Sequence, residues 1–200
     1  TFTPYGATEC MPVACIGGSE VLAETAALTA AGKGVCVGRA AADVRVEIIR
    51  IADAPIPRWD DGLMLPDGDI GEIAVCSDHA SRHYHNLPQA DALAKIADGD
   101  RFWHRMGDVG YRDGRGRIWF CGRKAHRVRA SGGDLFTVCC EAGFNQHPAV
   151  LRSARVGVPE AGSGFQLPVI IVETKKGDAE VPPERRRREE LPLLGPAKPL

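Results

Sequence analysis

The sequence predicts an α+β fold, rich in β-structure over most of its length, with a small α+β unit after it. Three observations predict it. His104–Arg123 reads as a β-hairpin: Val109 and Tyr111 alternate with smaller or polar residues, Asp113-Gly114-Arg115-Gly116 is dense in turn formers, and Ile118-Trp119-Phe120 is a short apolar run. Val44, Val46 and Ile48 alternate with Arg45 and Glu47, the period of a strand with one buried face. From Leu135 onward the order is strand, helix, strand, strand, over Leu135–His147, Val150–Val158 and Leu167–Glu173.

Taken in order, Thr1–Ile16 opens with Tyr5-Gly6-Ala7-Thr8-Glu9. Small residues let a backbone approach a ligand closely. A hydroxyl beside a carboxylate suits a magnesium–phosphate site, because Mg²⁺ prefers hard oxygen ligands. A capped turn accounts for the same five residues. Ser19–Ala31 predicts a short helix with Ser19 as N-cap, stopped by Gly32 and Gly34. Val35–Arg39 and Val44–Ile51 are strands, and the slipped phase at Ile48-Ile49 predicts a bulge. Ala54–Pro66, with three prolines and an Asp60-Asp61-Gly62 turn, is a surface loop, and Gly71–Cys76 is a strand. His79 and His83, four apart, share a helix face on this reading, but no further ligand completes a metal site. Pro88 starts a short helix through Ile96, and Ala97–Phe102 is a loop into the hairpin.

The hairpin sequence carries Asp108 near its beginning and Arg123 at its close. If the strands pair, acid and base meet at the same end of a ribbon. Such a pair can clamp a vicinal diol, since a carboxylate accepts and a guanidinium donates. A surface hairpin with ordinary polar ends is the alternative. Lys124, Arg127 and Arg129 read as a solvated strand face. Residues 175–200 are charged and proline-rich, too poor in apolar surface to offset chain entropy.

The totals narrow the function classes. A net charge of −1 makes the chain no electrostatic magnet for nucleic acid. The seven cysteines form no CxxC pair and no repeated spacing, which argues against structural zinc and a disulfide framework and for the reducing cytoplasm. No apolar run approaches the ~20 residues of a membrane span, and no signal peptide is visible. The chain starts at Thr1 and enters its first motif by Tyr5, which reads as a piece of something longer.

Tyr5-Gly6-Ala7-Thr8-Glu9, Gly71-Glu72-Ile73, Gly107-Asp108 and Gly122-Arg123, in this order, resemble the adenylate-forming superfamily of acyl-CoA synthetases and acyl-AMP ligases. The resemblance implies the β-rich end of a large AMP-binding domain over residues 1–124, an incomplete small α+β lid over 125–176 and a disordered or non-native tail over 177–200. It implies that Tyr5 stacks on adenine, with Gly6 and Ala7 lining the adenine slot. Thr8 and Glu9 are the catalytic pair, Thr8 on phosphate and Glu9 on Mg²⁺. Asp108 and Arg123 bind the ribose hydroxyls, and Ala125 is the hinge of the lid, where many relatives carry Asp or Lys. Glu72 is then a structural acceptor. His147, in Phe144–Val150, is a helix terminator packed on the sheet.

The tract from His104 to Val128, HRMGDVGYRDGRGRIWFCGRKAHRV, is similar to the β-lactone synthetases of bacterial long-chain olefin formation. Gly133–Thr137, Cys140-Glu141 and Gly34–Arg39 extend that likeness. It implies ATP and Mg²⁺ as cofactors, a 2-alkyl-3-hydroxy fatty acid as the carboxylate substrate, a β-lactone product, and enzymes of a lipid or olefin pathway as partners. The family's phosphate loop is expected upstream of Thr1, and Lys198 does not match its catalytic lysine. The alternatives are part of a fatty acyl-CoA synthetase or acyl-AMP ligase, or a non-catalytic nucleotide- or partner-binding remnant.

Overall fold

Eight strands build one large antiparallel sheet, and the computed structural model describes residues 1–175 of the chain. The tail expectation and Lys198 lie outside the described residues. The sheet comprises β1 (Phe2–Ala7), β2 (Cys10–Gly17), β3 (Val35–Ala40), β4 (Arg45–Ile49), β5 (Gly71–Cys76), β6 (Lys95–Asp98), β7 (Arg101–Arg112) and β8 (Ile118–Arg123). Its order is β1-β2-β3-β8-β7-β5-β4, with β6 also on β7. Between β2 and β3, α1 (Gly18–Glu20), a π-helical turn (Val21–Thr25) and α2 (Ala26–Ala30) run on as one helical segment. The helix α3 (Pro88–Ala94) precedes β6.

Both faces of the central strands are covered. On β5, Ile73 and Val75 join a cluster with Val13, Ile48, Met106 and Ile118, while Ala74 and Cys76 face the opposite cluster of Ile49, Ile96 and Trp103. This corrects the bulge expected at Ile48-Ile49. The pairing of β4 with β5 runs in register from Arg45 to Ile49. Consecutive isoleucines arise because Ile48 and Ile49 enter different cores on the two faces of one regular strand. A strand buried on both sides loses its polar alternation without losing its period.

After β8, a 3-10 turn (Lys124–His126) leads to the hairpin of β9 (Val128–Ala130) and β10 (Gly133–Leu135), then α4 (Thr137–Asn145) and the hairpin of β11 (Val150–Pro159) and β12 (Gln166–Thr174). The expected strand, helix, strand, strand order is present. Helix α4 packs on β11 and on β8. Gly122 makes the second contact fit: its φ is +134°, and a Cβ there would lie 2.7 Å from the Thr137 hydroxyl.

Several expectations are corrected. The N-cap of the first helix is Gly17, with no side-chain cap bond, and not Ser19. His79 and His83 lie on no helix. Their segment spends its backbone groups elsewhere: Ser81 N–H donates to the Glu9 carbonyl and Tyr84 N–H to Asp91. Among the described residues no cluster of His, Cys, Asp and Glu is arranged for a metal. Residues 95–102, expected as helix end and loop, form part of the β6–β7 hairpin about Gly99-Asp100, with Asp98 paired to Arg101. Of the basic run, exposed Arg129 fits a solvated face, but Lys124 and Arg127 do not. Arg127 bridges Asp53 and Asp134, and Lys124 reaches Glu72. His147 is exposed and accepts from Ala149 N–H instead of packing on the sheet. All seven cysteines are free thiols.

Candidate active site

The register of β7 on β8 sets Asp108 opposite Arg123. Arg123 Nη1 donates to Asp108 Oδ1 at 2.7 Å, and the Tyr5 hydroxyl donates to Asp108 Oδ2 at 2.5 Å. Two residues far apart in sequence thus converge on one carboxylate that is almost fully buried. Burial and the Asp108 charge push the Tyr5 hydroxyl well above the ordinary tyrosine range, so it remains a donor. The Tyr5 ring lies 6.2 Å from the Phe120 ring, tilted by 45°. Arg123 Nη1 also donates to the Met106 carbonyl at 3.3 Å, and 52% of the Arg123 side chain is exposed.

Thr8 and Glu9 form the two-residue tip of the β1–β2 hairpin, since Ala7 pairs with Cys10. The register shifts between Tyr5 and Ala7, where a Cβ on Gly6 would lie 2.6 Å from the Cys10 carbonyl oxygen. Glycine there allows the bulge that turns Tyr5 toward Asp108 while the tip projects. Ala7 packs against the core, and Thr8 is exposed. The Tyr84 hydroxyl donates to Glu9 Oε1 at 2.7 Å. That bond outweighs burial and, with His104 and Lys95 nearby, holds the Glu9 carboxyl below its ordinary range.

Lys95 donates to the Ser81 carbonyl at 2.5 Å and to His104 Nδ1 at 3.1 Å. Its ammonium lies 5.3 Å from each of the Tyr84 and Phe102 ring centroids. Burial, then the Lys95 charge, brings the His104 imidazole down to about 4, so it is neutral at physiological pH. The two halves of the site adjoin: the Arg123 charge acts on the hydroxyls of both Tyr5 and Tyr84.

Beneath them lies a third carboxylate. Glu72 Oε2 accepts from Arg105 Nη2 at 2.7 Å, and Lys124 Nζ lies 2.9 Å from Oε1, an ion pair without hydrogen-bond alignment. Arg105 also donates to the carbonyls of Leu93 and Ala54. The turn holding Ala125 therefore starts from a buried ionic anchor, while Ala125 itself is exposed.

Of the residues singled out from sequence, Tyr5, Asp108 and Arg123 meet in one constellation, and Glu9 sits at the adjoining tip. Sequence reasoning missed Tyr84, Lys95 and His104. Tyr84 is 75 positions from Glu9 and no local pattern marks it. The donor sets fit the implied groups. Asp108 with Arg123 offers acceptor and donor to a diol, and one carboxylate beside a hydroxyl matches a Mg²⁺ that keeps waters and phosphate oxygens as its other ligands.

No protein-family model matches the chain. It is 50% identical over 186 residues to an olefin β-lactone synthetase of Stenotrophomonas maltophilia, a match covering 90% of this chain and 33% of that one. It is 49% identical over 183 residues to an olefin β-lactone synthetase of Xanthomonas campestris, covering 89% and 32%. An amide bond synthetase structure from Marinactinospora thermotolerans superposes with a TM-score of 0.70 at 29% identity, over 92% of this chain and 33% of that one. The chain therefore spans about a third of the length of the curated relatives it matches. On sequence and fold together, it belongs to the adenylate-forming superfamily, close to the β-lactone synthetases, and matches the C-terminal part of such enzymes.

Proposed function

We propose that this chain supplies the AMP- and magnesium-binding end of an ATP-dependent acid-activating enzyme that converts a 2-alkyl-3-hydroxy fatty acid to a β-lactone. The observation that carries the proposal is the convergence of Tyr5 and Arg123 on Asp108 at the open end of a rigid hairpin. Asp108 and Arg123 hold the two ribose hydroxyls, with Tyr5, Gly6 and Ala7 beside the adenine. Thr8 touches phosphate, and Glu9 holds the metal. Bound Mg²⁺ supplies positive charge where two anions meet.

The chemistry follows from leaving groups. A carboxylate expels oxide with difficulty. Its attack on the α-phosphorus of ATP forms an acyl–AMP anhydride as the bond to pyrophosphate breaks. The 3-hydroxyl then attacks the acyl carbon, its proton passes to solvent, and AMP leaves as the four-membered ring closes. The internal nucleophile acts at high effective molarity, so coenzyme A is not required. Residues 125–176 act as a lid turning about Ala125, which needs only to absorb a change in φ and ψ. Seven free cysteines fit work in the reducing cytoplasm, beside enzymes that supply the hydroxy acid and consume the lactone.

AMP titration of the ¹⁵N-labelled chain tests the site. Saturable shifts at Tyr5, Asp108, Gly122 and Arg123 are expected, and unchanged spectra at millimolar AMP overturn it. The chain alone is expected to give no appreciable ATP–pyrophosphate exchange. In a complete enzyme carrying this sequence, a 3-hydroxy acid with ATP and no coenzyme A should yield lactone. A product seen exclusively as a thioester, and solely with coenzyme A, rejects lactone formation in favour of an acyl-CoA synthetase.

A further inference from the structure

We infer that Tyr84 is a positioning residue for the Glu9 carboxylate, fixing it as a metal ligand through the segment between β5 and α3; the inference rests on the magnesium reading of Glu9. Two bonds stitch that segment to the hairpin tip: Ser81 N–H donates to the Glu9 carbonyl at 2.7 Å, and the Tyr84 hydroxyl donates to Glu9 Oε1 at 2.7 Å. The segment is itself tied down. Tyr84 N–H donates to Asp91 Oδ1 on α3 at 2.8 Å, and Lys95 Nζ donates to the Ser81 carbonyl at 2.5 Å.

A glutamate at a two-residue tip has three side-chain torsions to order. A hydroxyl held from a second element removes that freedom before the metal arrives. It occupies Oε1 and leaves Oε2 outside that bond for the ion. Mg²⁺ demands near-octahedral geometry, so a pre-set carboxylate is worth affinity to it. Partners that orient a metal ligand alter affinity by about tenfold or more when removed. Lys95 completes the setting. Its ammonium lies over the Tyr84 ring and keeps that ring in place, while its own donors go to Ser81 and His104 and not to Glu9.

The test uses the ¹⁵N-labelled chain and Mn²⁺ as the probe, read as paramagnetic broadening of the Thr8 and Glu9 amides, with AMP shifts recorded separately without metal. Tyr84→Phe keeps the ring and removes the hydroxyl. The expected result is Mn²⁺ binding at the tip weakened about tenfold, with AMP shifts unchanged. Glu9→Gln should weaken Mn²⁺ binding more, and adding Tyr84→Phe to it should change nothing further. Equal Mn²⁺ affinity in Tyr84→Phe overturns the inference and leaves the metal reading standing. Loss of AMP shifts together with Mn²⁺ binding in Tyr84→Phe also overturns it, because that marks a general structural role. Broadening absent from Thr8 and Glu9 in the unsubstituted chain overturns the metal reading and this inference together.

Discussion

The β7–β8 hairpin carries an aspartate–arginine pair near each end, and the two pairs use their hydrogen-bonding capacity differently. At the turn end, Asp113 Oδ1 accepts from the backbone N–H groups of Arg115 and Arg117, both at 2.9 Å. Asp113 Oδ2 accepts from Arg117 Nε at 2.8 Å and Trp119 Nε1 at 2.9 Å. Those four bonds fill a carboxylate. Arg117 is 7% exposed and also reaches Glu24. At the open end, Asp108 receives Tyr5 and Arg123, and half of Arg123 faces solvent. One residue chemistry thus closes a turn in one place and leaves a site in another. What marks the site is capacity left over, not the presence of an ion pair.

Glu72 extends the comparison to a pair with no access at all, since its side chain is 1% exposed and that of Arg105 is 2%. Glu72→Ala leaves Arg105 and Lys124 facing a buried void. Breaking a buried pair from one side costs about 3–5 kcal/mol. Urea unfolding should show that loss. A change under ~1 kcal/mol would mean that Glu72 is not the anchor its geometry indicates.

The second prediction separates the two ends by pH. His104, behind the Glu9 tip, has its folded value brought down to about 4 by burial and the Lys95 charge, from an ordinary 6.5. Between those values the unfolded chain binds a proton that the folded chain does not. Stability is therefore full above about 6.5 and falls as pH drops toward 4, by about 3 kcal/mol in all. The turn end has no such slope there. Although burial acts to raise the Asp113 carboxyl, bonds from Trp119 and Arg117 hold it below its ordinary range, so it loses stability at more acid pH. Unfolding free energies from pH 7 to 4.5 should rise with pH, and His104→Gln should flatten the curve. A flat curve in the unsubstituted chain would show that His104 is solvated.

Much of this was legible in the sequence where the physics is local. The hairpin, and the meeting of an acid and a base at its open end, follows from strand period and turn glycines, whereas the bulge between Val109 and Gly110 that sets Asp108 directly opposite Arg123 has no such local signal. The tip position of Thr8 and Glu9 follows once β1 and β2 are seen to pair. What was illegible depends on distant partners. Asp113 read merely as a turn former, because nothing local says that Arg117 and Trp119 fold back onto it. The His79/His83 helix failed because Glu9 and Asp91 compete for that segment's backbone. The double coverage of the sheet hid the phase of β4 at Ile48-Ile49.

The third prediction removes the turn-end pair. Asp113→Ala frees four donors and leaves Arg117 with Glu24 and Glu20 as acidic neighbours. The cost should be about 2 kcal/mol of stability, read by urea unfolding. AMP shifts at Tyr5 and Arg123 should persist. Their loss would mean that the hairpin's far end sets the site, and the contrast between the two ends would break down.

The smallest effect on the fold, and the sharpest on the proposed site, belongs to Asp108→Asn. The side chain keeps its shape. Its carbonyl oxygen still accepts from Arg123, and the Tyr5 hydroxyl rotates to accept from the new amide. Stability should change by less than ~1 kcal/mol, because every polar group retains a partner. A ribose diol instead loses a charged acceptor, a loss of about 1.5–3 kcal/mol, or roughly 10–100-fold in AMP affinity. Titration of AMP into Asp108→Asn and Asp113→Asn, side by side, compares the same change at both ends of one hairpin. Weakening confined to Asp108→Asn ties nucleotide binding to capacity left open at a folded pair. Equal affinities in both variants would reduce Asp108 to the structural role that Asp113 plays.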